Sequence, residues 1–166
     1  SDTIMEFRPA VEKMTHEVRG YKNTKMANLQ SLKKDETHYF SPQEITEQRK
    51  AFGVKEGEFL SLTGCASYKF FDGGKSPYFE MIRDTLKEEP KLKHVVVTCL
   101  NENQQKVVDE VFKDDKDLLD RMRIVPYRPD IDIYFQSCDL FIDSFPQGSA
   151  LTHIDMMRNK RPTVVK

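Results

Sequence analysis

The sequence predicts an α/β fold, a Rossmann-like three-layer domain with a mainly parallel sheet. Two observations support this prediction. From residue 58 onward, strand-like and helix-like segments alternate about five times, which is the order of a parallel sheet with helical crossovers. The run from His94 to Leu100 is apolar with little alternation, as expected for a strand that is covered on both faces.

Composition narrows the class of protein. The 166 residues suit one domain of ordinary size, and 26 Lys and Arg against 27 Asp and Glu leave a net charge of -1. With almost no net charge, the protein has no overall electrostatic attraction for nucleic acid or for an anionic membrane. The three cysteines (Cys65, Cys99 and Cys138) lack CxxC spacing, which favours buried thiols in a reducing compartment. No signal peptide or transmembrane run is present, so we expect a cytoplasmic protein.

Residues 1–40 are predicted to be an N-terminal helical or linker segment that precedes the domain over residues 41–166. From Gly20 to Phe40 the apolar pattern weakens, which indicates a loop or a second short helical piece. Before that, apolar residues recur every three or four positions, the repeat of one helix face. These positions are Ile4, Phe7, Val11, Met14 and Val18.

Strong local signals mark the first helix of the domain. Ser41 is a suitable N-cap, Pro42 suits the first helical position, and Glu44 can close a capping box. The helix should run to Phe52 and stop at Gly53, which can take the left-handed C′ conformation.

The remaining elements follow the same pattern. Ser76 and Pro77 repeat the cap and proline start, and the apolar residues of that helix share one face. In chain order, the prediction is a strand at Phe59–Thr63, a helix from Pro77 with Tyr78, Phe79, Ile82 and Leu86 buried, a strand at His94–Leu100, a helix over 102–113, a further turn over Leu118–Met122, a strand at Arg123–Pro126, a short helix at Pro129–Ser137, a strand at Leu140–Ile142, a helix after a Pro/Gly turn, and a strand at Thr163–Val165.

The turn before the last helix is the first candidate site. Small residues let a phosphate approach backbone N–H groups at a helix N-terminus, hydroxyls add donors, and a carboxylate one turn later could accept from ribose hydroxyls. The alternative is an ordinary capped helix whose hydroxyls satisfy only its own N-terminus. The residues concerned are Gly148, Ser149, Ala150, Leu151, Thr152 and Asp155.

Two other loops follow strands of the predicted sheet and would lie at its carboxyl edge, where ligands of such sheets bind. Tyr68 and Lys69 follow the first strand, and Lys69 could reach phosphate oxygens as a point charge; the alternative is a solvated surface lysine. Tyr127 could stack on a planar base and Arg128 could donate to it. The alternative for this pair is a rigid proline loop with an exposed aromatic ring.

These segments resemble a known family. The stretch from Cys138 to Asp155, followed by Pro162-Thr-Val-Val, is similar to the donor-binding stretch of the O-GlcNAc transferase family, especially its bacterial cytoplasmic N-glycosyltransferases. Those proteins carry an (A/C)D-x-x-(L/I)-(D/N)-x-FP turn, then small residues and a helix start with an Asp. Tyr68-Lys69 and Arg123–Arg128 resemble two further loops of the same family, so that the resemblance covers about residues 55–166.

The resemblance implies the C-terminal half of a GT-B glycosyltransferase, a hexosyltransferase that binds UDP-GlcNAc or UDP-glucose. In this role Lys69 would be catalytic by stabilising the leaving diphosphate, residues 148–152 would bind the diphosphate, and Asp155 the ribose. Tyr127 and Arg128 would frame the base. It further implies no cofactor or obligatory metal, a protein or glycan acceptor, and an acceptor domain outside residues 1–40, which are too short to supply a second sheet. We therefore expect an excised donor-binding half, truncated at its C-terminus and inactive alone.

Departures from the family pattern favour an alternative. Ala150 and Leu151 stand where relatives often carry His or Thr, and Ile131 stands where many place a histidine near the base. A non-catalytic GT-B-like interaction domain that partners an active glycosyltransferase would tolerate these changes. A second alternative is a flavodoxin-like or response-regulator-like binding domain. It predicts an acidic cluster or a flavin-binding loop at the strand ends, and neither is found in the sequence.

Overall fold

The computed structural model describes residues 4–6, 24–26 and 37–165. The chain divides into two compact units, Ser1–Glu36 and Thr37–Lys166. In the first unit, strands β1 (Ile4–Glu6) and β2 (Thr24–Met26) pair in parallel.

The predicted N-terminal amphipathic helix is wrong at its start, because Ile4 lies in β1 and pairs with Thr24. Spacing of three or four apolar residues cannot distinguish a helix from a β-branched residue held by a distant partner. β2 also falls where a loop or short helical piece was expected, so this segment contains strand pairing that the sequence did not predict. The other apolar positions of the predicted helix, Phe7, Val11, Met14 and Val18, lie outside the described residues.

The second unit, Thr37–Lys166, contains the alternating strands and helices that the sequence predicts. No helix among residues 37–165 is long and apolar enough to cross a membrane. Its elements in chain order are α1 (Pro42–Ala51), β3 (Phe59–Gly64), a 3₁₀ turn (Ser67–Phe70), α2 (Pro77–Glu88), β4 (Leu92–Val97), α3 (Glu102–Val111), a second 3₁₀ turn (Lys116–Asp120), β5 (Met122–Val125), α4 (Asp132–Ser137), β6 (Leu140–Ile142), α5 (Ala150–Arg158) and β7 (Thr163–Val164).

The five strands β3 to β7 form one parallel sheet in the order β5-β4-β3-β6-β7. The Rossmann-like fold class is therefore confirmed. The chain builds outward from β3 through β4 to β5, and then crosses back to place β6 on the other side of β3. This reversal is the topological switch point, beside which doubly wound sheets bind their ligands.

The residues predicted to begin and end the first helices of the domain do so in the structure. Ser41 and Glu44 form both halves of a capping box, and Ser76 accepts from the Phe79 N–H at the start of α2. Gly53 follows α1 with a φ of 78°, a left-handed conformation that favours glycine.

Side chains of the strands alternate between two apolar clusters. Val95 and Val97 pack with Leu60 and Leu62, whereas Val96 packs with the buried face of α2. Neighbouring residues of a strand point to opposite faces, so both faces of the sheet are covered over β3 and β4. This explains the continuous apolar run in β4, although the strand begins two residues earlier than predicted, at Leu92, and ends at Val97.

The cysteines differ in their surroundings. Cys138 is buried and Cys65 is partly buried, but Cys99 is exposed. The expectation of buried thiols is therefore wrong for Cys99, which lies two residues beyond the end of β4.

An arginine of α1 holds the amino edge of the sheet together. Arg49 Nη1 donates to Ser137 O at 2.7 Å and to Asp139 Oδ2 at 3.0 Å. The same Asp139 oxygen accepts from the Leu60 N–H at 2.8 Å. Asp139, the first aspartate of the C-terminal motif, therefore joins β3, β6 and α1 at the edge opposite to the predicted site.

Candidate functional site

The candidate site lies where β3 and β6 end at the switch point. β3 ends at Gly64 and leads into the first 3₁₀ turn, and β6 ends at Ile142 and leads into α5. The Thr63 hydroxyl donates to Ile142 O at 2.6 Å and joins the two strand ends. The two following loops are consequently held side by side at the carboxyl edge.

Asp143 organises the segment 143–149, which we call the β6–α5 turn. Its Oδ1 accepts from the Ser144 N–H at 2.8 Å, the Ser149 N–H at 2.9 Å and the Ser149 hydroxyl at 2.8 Å. Its Oδ2 lies 3.0 Å from His153 Nε2. Burial alone would raise the pKa of Asp143, but the bonds from Ser149 and the contact with His153 hold this pKa below its ordinary value. The carboxylate is therefore ionised at neutral pH.

The middle of the β6–α5 turn is anchored in the core. Ser144 is buried, and its hydroxyl donates to Gln147 O at 2.8 Å. The Phe145 ring packs edge-on against the buried Tyr78 ring, with 5.7 Å between the centroids. The peptide bond between Phe145 and Pro146 is cis. The turn therefore packs against α2 and against the apolar cluster that contains Val96.

Lys69 reaches the β6–α5 turn from the loop after β3. Its Nζ donates to Gly148 O at 3.0 Å, while the adjacent Phe70 is fully buried and anchors the 3₁₀ turn. The structure thus brings together Lys69 and Gly148, two predicted site residues that lie 79 positions apart.

The two hydroxyls predicted to bind phosphate have protein partners. Ser149 Oγ donates to Asp143, and Thr152 Oγ1 donates to Gly64 O at 3.2 Å. Ser149 is the N-cap of α5 but makes no side-chain cap bond. The first turn of α5, residues 150–152, has N–H groups with no carbonyl partner inside the helix. An anion at this end of α5 would therefore meet the backbone N–H groups and the Lys69 ammonium.

Two further residues of α5 flank this turn. Leu151 is half exposed, at 50%. Asp155 lies one helical turn further along and is partly buried, and its carbonyl accepts from the Asn159 N–H at 3.0 Å. Asp155 is therefore on the same helix as the proposed phosphate-binding end, as the sequence predicts.

Tyr127 and Arg128 follow β5, two strands away from β3. Tyr127 is 69% exposed. The Arg128 guanidinium pairs with the Asp130 carboxylate, which raises the pKa of Arg128, and it lies 5.4 Å from the Tyr134 ring centroid. Ile131 packs against the core from the same loop. Arg128 is therefore held by its own loop and α4, at the same edge as the β6–α5 turn but three strands away from β6.

Sequence reasoning did not assign roles to Asp143 and His153. Sequence alone does not distinguish His153 from a surface residue of the helix, yet its side chain is only 23% exposed and lies against Asp143. The position of Asp143 in the sequence could have indicated its role. An aspartate one residue beyond a strand and six residues before a helix N-cap can accept hydrogen bonds from N–H groups at both ends of the turn between them.

A large apolar groove of about 760 Å³ lies elsewhere, at the amino ends of the strands. It is lined by residues such as Phe59, Leu92 and Leu140. The groove lacks both Lys69 and the N-terminus of α5, and its lining is mainly apolar, with Lys91 beside the carboxylates of Glu89 and Asp139.

Comparison with known proteins identifies the fold. No family model and no curated protein matches the chain. Among solved structures, HepE of Anabaena, in complex with UDP and glucose, matches with a TM-score of 0.70 at 18% identity, over 99% of this chain and 44% of that chain. The chain has the fold of about half of a GT-B glycosyltransferase.

Other glycosyltransferases match in the same way. A glycosyltransferase from Rickettsia africae has a TM-score of 0.70 at 13% identity, over 98% of this chain and 43% of that chain. The C-terminal domain of LpcC from Francisella tularensis, a group 1 family glycosyltransferase, has a TM-score of 0.55 at 15% identity, over 79% of this chain and 68% of that domain. The chain thus spans less than half the length of the first two proteins. At these identities the likeness establishes the fold, and activity must be argued from the site.

Proposed function

We propose that residues 41–166 bind the nucleotide-sugar donor of a GT-B glycosyltransferase, as part of a longer cytoplasmic enzyme. The observation that carries this proposal is the 3.0 Å contact between Lys69 Nζ and Gly148 O. It joins a cation to the helix N-terminal turn at the switch point of the sheet, where a diphosphate would meet positive charge from both sides. HepE was solved with UDP and with UDP-glucose, which supports a UDP-sugar as the donor.

The chemistry would be hexosyl transfer. The bond between the anomeric carbon and the diphosphate oxygen breaks through an oxocarbenium-like state, and a bond to an acceptor oxygen or nitrogen forms. Negative charge grows on the diphosphate as it leaves, and Lys69 with the α5 N–H groups would stabilise that charge without an obligatory metal. The general base that takes the acceptor proton would come from the acceptor domain of the longer chain, so the isolated domain should be inactive. The acceptor would be a protein or a glycan.

The remaining donor contacts are assigned by position. Asp155 would accept from a ribose hydroxyl, and Tyr127 with Arg128 would frame the base. Because Ser149 and Thr152 already donate to protein oxygens, we assign the diphosphate contacts to backbone N–H groups of residues 150–152. This assignment would explain how Ala150 and Leu151 could stand in place of the His or Thr of the O-GlcNAc transferase family that the sequence resembles, since a backbone donor does not depend on the side chain.

A nucleotide screen by thermal unfolding tests the proposal. UDP and its sugars should raise the melting temperature more than GDP or ADP, because a ligand bound only by the native state stabilises it. A weaker effect of 2′-deoxy-UDP than of UDP is expected if Asp155 binds the ribose. If no nucleotide shifts the melting temperature, the non-catalytic interaction domain becomes the better account.

A further inference from the structure

One peptide unit of the β6–α5 turn is held at both ends. The N–H of Ser149 donates to Asp143 Oδ1 at 2.9 Å, and the carbonyl of Gly148 accepts from Lys69 Nζ at 3.0 Å. These two groups belong to the same peptide plane, so they point in opposite directions when the peptide is trans. Asp143 therefore determines the direction in which the carbonyl meets Lys69, and it orients the backbone that leads into α5.

The position of the Asp143 carboxylate requires a glycine at residue 148. A Cβ on Gly148 would lie 2.7 Å from Asp143 Oδ2, which is closer than real Cβ contacts. The φ angle of Gly148 is outside the left-handed region, so conformational freedom is not what demands glycine here. Oδ2 has little room to move, because Oδ1 accepts three hydrogen bonds and Oδ2 itself contacts His153.

We propose that Asp143 is the positioning residue of the diphosphate-binding turn, and that Gly148 is glycine to make room for the Asp143 carboxylate rather than for a ligand. This inference rests on the proposed function for its ligand. It differs from the expectation from sequence, in which the small residue at 148 lets a phosphate approach the backbone. The Asp143 side chain is only 10% exposed and is occupied by the turn, so it acts through the backbone and does not contact the nucleotide.

A double-mutant cycle separates the two explanations for Gly148. The variants are Gly148→Ala, Asp143→Ala and the double variant, and calorimetry measures the affinity of each for UDP and for uridine. Each single change should weaken UDP binding by about ten-fold, because a displaced turn would lose about one hydrogen bond between a backbone N–H and the charged diphosphate. Uridine affinity should change little, since uridine carries no diphosphate. The double variant should bind UDP no more weakly than Asp143→Ala, because the clash is gone.

Asp143→Asn is the matched conservative variant. It keeps an acceptor for the Ser144 and Ser149 N–H groups, so it should recover most of the UDP affinity that Asp143→Ala loses. If Asp143→Ala does not fold, Asp143→Ser replaces it in the cycle, since its shorter side chain also clears the space beside Gly148. The proposal is overturned if Gly148→Ala weakens UDP binding equally in both backgrounds, or if Asp143→Ala leaves the ratio of UDP to uridine affinity unchanged.

The same cycle on thermal unfolding needs no ligand. Gly148→Ala should lower the melting temperature in the parent and not in the Asp143→Ala background. If the effect of Gly148→Ala depends on Asp143 but the parent protein does not bind UDP, the proposed donor-binding function is wrong. The inference that Gly148 makes room for the Asp143 carboxylate is then still supported. If the coupling is absent, the positioning role itself fails.

Discussion

Lys69→Ala should lower the affinity for UDP by about 10- to 100-fold, the range expected for a charge-assisted hydrogen bond to phosphate. Lys69 has three donors and already lies within hydrogen-bond distance of the β6–α5 turn. It can keep Gly148 as one partner and donate to a diphosphate oxygen with another. Isothermal titration calorimetry with UDP measures the effect directly.

Lys91→Ala is the matched control, because it removes the same charge at the opposite edge of the sheet. Lys91 is exposed and lines the apolar groove beside Phe59, so its loss should leave UDP affinity within about two-fold, apart from weak long-range electrostatics. Equal affinities of Lys69→Ala and the parent would rule out the role assigned to Lys69. Equal losses in both variants would mean that the effect is one of net charge and not of position.

The free energy of unfolding should fall steeply as the pH drops below about 6.5, because of His94. Its ring is fully buried, with Nδ1 2.7 Å from the Ser61 hydroxyl and Nε2 2.7 Å from the Tyr78 hydroxyl. A neutral imidazole has one donor and one acceptor, and hydroxyls can complement both. Burial lowers the pKa of His94 from 6.5 to about 3, so the folded protein keeps this ring neutral.

The sign of the effect follows from proton uptake. Since the pKa of His94 is lower in the folded state, the unfolded state binds the proton first. The stability is fully present above about pH 6.5 and is lost progressively toward about pH 3, at up to ~1.4 kcal/mol per pH unit. Between pH 6.5 and 5 this amounts to roughly 2 kcal/mol.

Urea denaturation at pH 7.5 and pH 5 measures this loss, and His94→Gln is the control. Glutamine keeps a donor and an acceptor but cannot take up the proton, so the variant should be less stable at pH 7.5 and lose less on acidification. The difference between the two proteins isolates His94 from the other histidines. Parallel pH dependence in parent and variant would contradict a buried neutral His94.

The parts of the fold that the sequence predicts correctly depend on near neighbours. Ser41 and Ser76 cap their helices through residues three positions away, and such bonds are encoded locally. The covered strand at β4 is predictable for a similar reason, because burial on both faces requires an unbroken apolar run. The order of these elements was sufficient to predict a parallel sheet and its carboxyl edge.

The details that the sequence misses depend on distant partners. Ile4 pairs with Thr24 instead of continuing a helix, and Asp139 meets Arg49 across 90 positions. In the candidate site, Ser149 and Thr152 have the composition of phosphate donors, but their protons go to Asp143 and to Gly64. Which acceptor a hydroxyl chooses depends on loops brought together by the sheet, and no local pattern contains that information.

Mapping of UDP binding by NMR tests the central claim most directly, since a 19.4 kDa chain gives resolvable backbone amide signals. We expect the largest chemical-shift changes on UDP addition at residues 64–69 and 143–155, the two loops at the switch point. Changes centred on the groove near Phe59, Leu92 and Leu140, or no change at saturating UDP, would contradict a donor site formed by Lys69 and the β6–α5 turn.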